Sequence, residues 1–454
     1  MFVRPSFRHF GIPSTLTTLV VAACLIGGVS LLKAGLLATR SVGVGGVSID
    51  VKGIVALPQV SVQRELQAAR QRALTEIPGD LMQPVELRKV SLRRLDEALR
   101  KHRTSQFMPL PDDMEFLAGL QRIEYLFVFP EQHDIVLAGP AEGWRVDALG
   151  NVVGKTSGRP VLLLDDLLVA LRTARDVSET GITCSIDPTP EGIQQVRGLV
   201  RRLKGIGNPR ETASRIEEAL GPQVVTVRGV PTTTHFARVM VAADYRMKRL
   251  AMNLDTAPIA NLPSYLHLVG AGRGGMQMPR WWLAPKYEPL LTDADGLSWE
   301  IQAGGVQCLT EDDIALDDGT RRHTGKSSTP ARRWANNMTE HYDQLAAKDS
   351  AFALLHNIID LAVIGALVEK EKLLERAGVE LPYLMGEEQV SAYYAPKQVA
   401  SQASLIRKGR RWVVSASGGV EIYPRQLLDA VDVSDSLAPV RDGVDTSEEG
   451  WWWN

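Results

Sequence analysis

The reading of the chain turns on residues 236–313: FARVMVAADYRMKRLAM at 236–252, MPRWWLAPKYEPLL at 278–291, the loop TDADG at 292–296 and LSWEIQAGGVQCLTEDD at 297–313. In the first segment Phe236, Val239, Met240, Ala243, Met247 and Leu250 recur at the spacing that gathers apolar side chains on one helical face. This predicts a helix over Phe236–Met252, with an N-cap among Thr232–Thr234, whose hydroxyl can accept from a free first-turn amide. The next two segments are aromatic and strand-like, separated by an acidic turn. Helix and strands in alternation predict a mixed α/β, or α+β, fold.

The same alternation extends outward. IEYLFVFP and DIVLAGP flank the polar turn Glu131-Gln132-His133 and read as a hairpin. A helix over Leu163–Arg175 precedes the strand GITCSID. Pro188 and Pro190 then open a helix, since proline is tolerated in a first turn. ETASRIEEAL and PQVVTVRG read as the next helix and strand. Downstream, Ala331–Ala346 is a polar helix and Ala351–Val368 is nearly all apolar. His356, Asn357 and Asp360 inside the latter would be costly in a lone membrane span, so it reads as a buried core helix. RWVVSAS and VEIYP flank Gly418-Gly419 and predict a C-terminal hairpin.

The expected organisation is therefore residues 1–40 as signal peptide or membrane anchor, an N-terminal α/β lobe over 41–230, and a second mixed lobe over 231–432. The second lobe includes helices within 331–377 and the hairpin. The lobes are short sheets packed by helices, and residues 433–454 form a disordered acidic tail ending in Trp451-Trp452-Trp453-Asn454.

Residues Arg4, Arg8 and His9 precede an apolar run from Leu16 to Leu32, a basic region before a hydrophobic one, as in export signals and anchors. Three readings stay open: an uncleaved transmembrane helix, a cleaved signal, or a lipoprotein box, Val21-Ala22-Ala23-Cys24, with Cys24 lipidated. Each places the bulk of the chain outside the cytoplasm, membrane-anchored or periplasmic. A formal net charge of −2 over 454 residues argues against a nucleic-acid partner, since phosphate binding asks for surplus Lys and Arg. In an oxidising compartment Cys184 and Cys308 could form a disulfide.

Motifs with defined chemistry are sparse. Gly270, Gly272 and Gly275 fit a dinucleotide pattern, but Pro279 and paired tryptophans follow where the pyrophosphate needs a helix N-terminus. No cofactor is expected. Gly-x-Ser-x-Gly and His-Glu-x-x-His do not occur. His356 and Asp360, one helical turn apart, are the compact candidates for a base and its orienting carboxylate. Asp293 and Asp295 are the calcium candidates, without a full calcium-loop spacing. Trp281, Trp282, Trp451, Trp452 and Trp453 are the binding candidates, because aromatic anchors favour interfaces and membrane boundaries.

ADYRMKRLAM, PRWWLAP, CSIDPTPEGI and YLFVFPEQHDIVLAGPAEGW resemble an uncharacterised domain family of planctomycete bacteria, over about Gly45 to Val368. The resemblance implies an exported or envelope protein and supplies no functional residue. The function expected is a non-enzymatic, exported or membrane-anchored envelope interaction protein. Its partner would be an envelope protein or ligand, and the membrane itself through the N-terminal segment. The alternative is an exported hydrolase with a site near the acidic loops and Trp281-Trp282.

Overall fold

Alternating burial along the strands sets the architecture, seen in a computed structural model that describes residues 77–104, 110–203, 208–270, 276–302, 304–315, 321–387, 394–401, 417–444 and 452–454, with short pieces at 48–49, 54–56, 71, 74, 403, 406–408 and 411–413. Residues 1–40, with the export segment and Cys24, and Trp451 lie outside the described residues, as do Gly272 and Gly275.

In chain order the elements used below are β1 (Val85–Ser91), α1 (Leu92–Thr104), β2 (Tyr125–Phe129), β3 (Asp134–Ala141), α2 (Leu164–Thr173), β4 (Ile182–Asp187), α3 (Pro190–Arg202), α4 (Pro209–Leu220), β5 (Gln223–Arg228) and α5 (His235–Ala251). They continue with β6 (Met276–Tyr287), β7 (Leu290–Thr292), β8 (Ser298–Glu300), β9 (Gly304–Ala315), α6 (Thr329–Glu340), α7 (Ser350–Lys370), β10 (Ser417–Ile422), β11 (Val431–Val433) and α8 (Leu437–Asp442). The fold is mixed α+β, as the alternation predicts. The helix over 236–252 is present as α5, and its N-cap is Thr234, whose Oγ1 accepts from the Ala237 amide at 3.2 Å.

A larger sheet contains β5-β4-β10-β6-β9 in that order, with residues 398–399 beyond β5 and 321–323 beyond β9. A smaller sheet has the order β11-β7-β8-β2-β3-β1. β2 and β3 form the expected hairpin. The chain passes from β6 in the larger sheet to β7 and β8 in the smaller one and returns at β9, so no domain boundary falls at 230/231. Residues Val42–Asn454 form one compact unit. The two lobes expected from sequence survive only as two hydrophobic cores, each drawing on both halves of the chain.

Helix α7 joins those cores. Phe352, Leu355, Ile358 and Ile359 lie in the first, under the larger sheet, and Ile364, Leu367 and Val368 in the second. A helix buried on all sides has no polar stripe to show, which is why its sequence is apolar all round. It is long and apolar enough to cross a membrane, yet 83 % of its most apolar window is buried within the fold. Gly365 lets α7 approach α2, since a Cβ there would stand 2.3 Å from the Ala170 carbonyl oxygen.

Two sequence expectations fail for the same reason, strand pairing between distant residues. Gly418 and Gly419 are not a hairpin turn but lie inside β10, in mid-sheet between β4 and β6. The residues at 411–413 pair instead with 406–408 and with 276–277. The tail over 433–454 is likewise ordered where it is described. β11 pairs in parallel with β7, α8 follows it, and residues 452–454 lie along β1.

Candidate functional site: the open face of the larger sheet

Side chains alternate across a strand, so register places every residue of the larger sheet on one of two faces. On the inner face Cys184, Val420, Leu283 and Cys308 form one row across β4, β10, β6 and β9. All four are buried in the first core. The neighbouring row points outward: Thr226 is opposite Ser185, Ser185 opposite Gly419, Gly419 opposite Trp282, and Trp282 opposite Leu309. Thr226 and Leu309 are exposed, and Ser185 and Trp282 are half-buried.

Around Trp282 the outer face is chemically varied. The Arg280 guanidinium lies 4.9 Å from the Trp282 ring centroid and its Nη2 is 3.2 Å from Oε1 of Glu421. That pair fixes the arginine over the indole, and a cation over a tryptophan face is worth about 0.5–1 kcal/mol where exposed. Thr183, Thr226 and Arg228 add hydroxyls and a cation, and Val224 at 40 % and Leu309 at 37 % exposure add apolar surface. Gly419 contributes no side chain and is buried between β4 and β6, where the strands approach too closely for one. A Cβ there would meet the Cys184 carbonyl oxygen at 1.8 Å.

Of the paired tryptophans, only Trp282 belongs to this face. Trp281 points inward, fully buried, with Tyr265 edge-on at 4.9 Å and Trp334 at 4.8 Å, and its Nε1 donates to the Ala331 carbonyl at 3.4 Å. It is a core residue rather than a binding one.

The cysteine pairing is also corrected. Cys184 and Cys308 are free and buried. They share a row, but three strand spacings, about 14 Å, separate them, well beyond the reach of a disulfide. Burial pushes both thiols up, and the nearby Asp244 carboxyl adds to this at Cys184. They act as small core hydrophobes.

His356 and Asp360 come together, but not as a dyad. Nε2 of His356 stands 3.7 Å from Oδ1 of Asp360, too far for a hydrogen bond. The Tyr287 hydroxyl donates to Oδ1 instead, and Nε of Arg122 lies 3.5 Å from Oδ2. Burial, with the Asp360 carboxylate beside it, pushes the Tyr287 hydroxyl well above its ordinary range. The cluster therefore ties α7 to the end of β6 and to the segment before β2, where the two cores meet.

Asp293 and Asp295 do not converge on a cation. Oδ1 of Asp293 accepts from the amides of Leu297 at 2.7 Å and Ser298 at 3.2 Å, and Oδ2 accepts from Ser298 Oγ at 2.8 Å and Arg441 at 3.1 Å. Burial would raise its pKa, but these donors outweigh burial and hold it below the usual carboxylate range. Asp295 is exposed, and its carbonyl accepts from Arg376. Among the described residues no group of three or more His, Cys, Asp or Glu could hold a metal ion.

Several buried polar pairings were not read from the sequence. Lys248 and Asp244 on α5 pair at 2.8 Å, and Nζ of Lys248 also donates to the carbonyls of Ile186 at 2.6 Å and Gly418 at 3.2 Å. Asp166 and His235 meet at 2.7 Å, both buried. Glu142 accepts from the Thr156 and Ser157 amides and from Gln121 Nε2, at 2.7, 2.9 and 2.6 Å. Burial opposes ionisation of Glu142, yet the hydrogen bonds prevail and bring its pKa from 4.5 down to about 2. A depressed pKa contributes stability that is present above the unfolded value and is lost as pH falls through the folded one. Urea unfolding at pH 6 and pH 3 is therefore expected to show a larger acid loss, by up to about 2 kcal/mol, in the native protein than in Glu142→Gln, because pH 3 still lies above the folded pKa.

Trp452 and Trp453 sit on neither the open face nor a free tail. Trp452 is buried in the second core, and Trp453 lies under the Arg88 guanidinium, 5.4 Å from its ring centroid.

Comparison with known proteins covers part of this framework. No curated protein and no solved structure matched the chain. The phrases CSIDPTPEGI and ADYRMKRLAM fall inside a family match, whereas PRWWLAP and YLFVFPEQHDIVLAGPAEGW lie outside it. The matched residues run from β4 through α3, α4, β5 and α5, and so include the Asp244–Lys248 pair and two strands of the open face. Residues 184–265 match the family described as Protein of unknown function (DUF1598).

Proposed function

We propose that the protein is a non-enzymatic interaction protein, exported or membrane-anchored at the cell envelope, and that it docks through the open face of the larger sheet. The observation that carries this reading is the outward row Thr226–Ser185–Gly419–Trp282–Leu309, with Arg280 fixed over the indole by Glu421. A half-buried tryptophan and an exposed leucine flanked by hydroxyls and a charge pair form the kind of patch that anchors interfaces: an aromatic centre with a polar rim. The partner that suits it is an envelope protein presenting an apolar contact for Trp282 and Leu309, ringed by hydrogen-bonding groups. The apolar segment over Leu16–Leu32, after Arg4 and Arg8, supports the location.

The test compares native protein with Trp282→Ala/Leu309→Ser in gently solubilised envelopes. The native chain is expected to sediment in an assembly larger than its 49.7 kDa mass, and the variant at its own mass. A tryptophan centre of this kind typically carries 2 kcal/mol or more of binding, roughly a thirtyfold loss of affinity. Identical sedimentation of the two chains would remove the face from the account, and recovery of the native chain wholly in soluble cytosol would remove the location.

A further inference from the structure

Strand β1 ends the smaller sheet, and residues 452–454 cover its free edge. The amide of Ser91 donates to the Trp452 carbonyl at 2.9 Å, and Lys89 and Asn454 exchange a reciprocal pair of backbone hydrogen bonds at 3.0 and 2.9 Å. Val90 and Trp453 are antiparallel bridge partners. This is strand addition at a sheet edge, in which main-chain hydrogen bonds supply affinity and pockets for side chains supply selectivity.

Both tryptophans of the added strand have defined surroundings. Trp452 is 9 % exposed and packs into the second core. Trp453 lies beneath Arg88, whose guanidinium stands 5.4 Å from its ring centroid. Arg88 is only 2 % exposed, and its Nε and Nη2 have no hydrogen-bond partner among the described residues. The face of Trp453 thus compensates part of the burial of that cation, beside the charge of Asp80. Every one of these contacts is made within three residues, so a segment bringing the same three residues from another molecule makes them equally well.

We propose that the outer edge of β1, with the Arg88 guanidinium over the position of Trp453, is an acceptor site for an extended tryptophan-bearing peptide. It is filled by residues 452–454 of the same chain at low concentration and by those of a second copy at high concentration. The tethered strand has an effective concentration in the millimolar range for a short connection, so exchange between copies requires local crowding, as on a membrane surface. The site lies on the smaller sheet and is independent of the open face proposed for docking.

The probe is a dye-labelled peptide of residues 448–454, titrated into the full-length chain and followed by fluorescence anisotropy. The native chain, with its own strand seated, is expected to bind it weakly. Trp452→Ala, whose own strand is weakened, is expected to bind at least tenfold more tightly, and Trp452→Ala/Arg88→Leu to lose that gain. Trp453→Ala gives the same comparison with Trp452 kept in the core, should Trp452→Ala fail to fold. Equal affinity for native and weakened chains, retention of binding after Arg88→Leu, or no binding to either weakened chain would each overturn the acceptor site. The native chain is further expected to self-associate as its concentration rises and to return to monomer on addition of peptide. Peptide binding without self-association would overturn the second copy as occupant.

Discussion

Gly418→Ala is expected to abolish the native fold, or to leave a protein whose thermal unfolding midpoint falls by ten degrees or more. Gly418 has φ +137°, a backbone region that L side chains rarely adopt. A Cβ there would lie 1.5 Å from the Trp281 carbonyl oxygen and 2.6 Å from its carbon, both main-chain atoms of the neighbouring strand. No side-chain rotation relieves such a contact, so β10 must move away from β6 in the middle of the sheet. Overpacking alone costs about 1–3 kcal/mol and strained backbone a similar amount. The displaced strand also carries the Gly418 carbonyl away from Lys248. Together these losses reach a large part of the 5–15 kcal/mol that holds a typical domain folded. Gly79→Ala is the control: nothing stands within 4 Å of a Cβ there, and its melting curve is expected to match the native one. A Gly418→Ala melt within two or three degrees of native would contradict the strand placement of the glycine pair.

The second large effect lies directly beneath it. Lys248 donates to Asp244, Ile186 and Gly418, and so ties α5 to both β4 and β10. Lys248→Met removes the cation and leaves the fully buried Asp244 carboxylate without its partner. Breaking one side of a buried pair typically costs about 3–5 kcal/mol, whereas replacing both members by neutral groups costs much less. Asp244→Asn/Lys248→Met is therefore expected to recover part of the loss. The pH dependence gives a sharper signature. Burial raises Asp244 to about 6 against the opposing pull of Lys248. A folded pKa above the unfolded one stabilises fully below the unfolded value, and that contribution is lost as pH rises through the folded one. Removing Lys248 removes the downward pull, so Lys248→Met is expected to be more stable at pH 5 than at pH 8. Urea midpoints of the variant that are equal at the two pH values, or higher at pH 8, would contradict the pairing.

These two sites also show where sequence reading reaches and where it stops. α5, α7 and the β2–β3 hairpin were legible because their signals are local: helical spacing, an apolar run with isolated polar groups, and a polar turn between aromatic strands. Gly418-Gly419 misleads because the same dipeptide serves a turn or a close approach between strands, and only pairing with β4 and β6 decides which. Trp281 and Trp282 read alike as binding residues, yet alternation sends one to the core and the other to solvent. The alternating burial of ITCSID and QVVTVR was present in the sequence. What it could not reveal was that β10, more than two hundred residues downstream of β4, lies beside it and brings Gly419 between Ser185 and Trp282. The tryptophans near the end of the chain read as a free tail, since the edge they cover belongs to a strand some 360 residues earlier. The Asp244–Lys248 pair went unmarked because a charged pair one turn apart on an amphipathic helix looks like surface.

The central claim is that the open face of the larger sheet meets a partner at the envelope. The most direct measurement places a photo-crosslinking residue at Thr226, in the outward row beside Trp282, and another at Glu369 near the end of α7, both exposed positions. Each full-length chain is then irradiated in intact cells before fractionation. The account predicts a discrete adduct in the envelope fraction from position 226, reduced at least tenfold by Trp282→Ala/Leu309→Ser, and little or none from position 369. Adducts of equal yield from the two positions, or a position-226 adduct that is indifferent to the paired substitution, would contradict it.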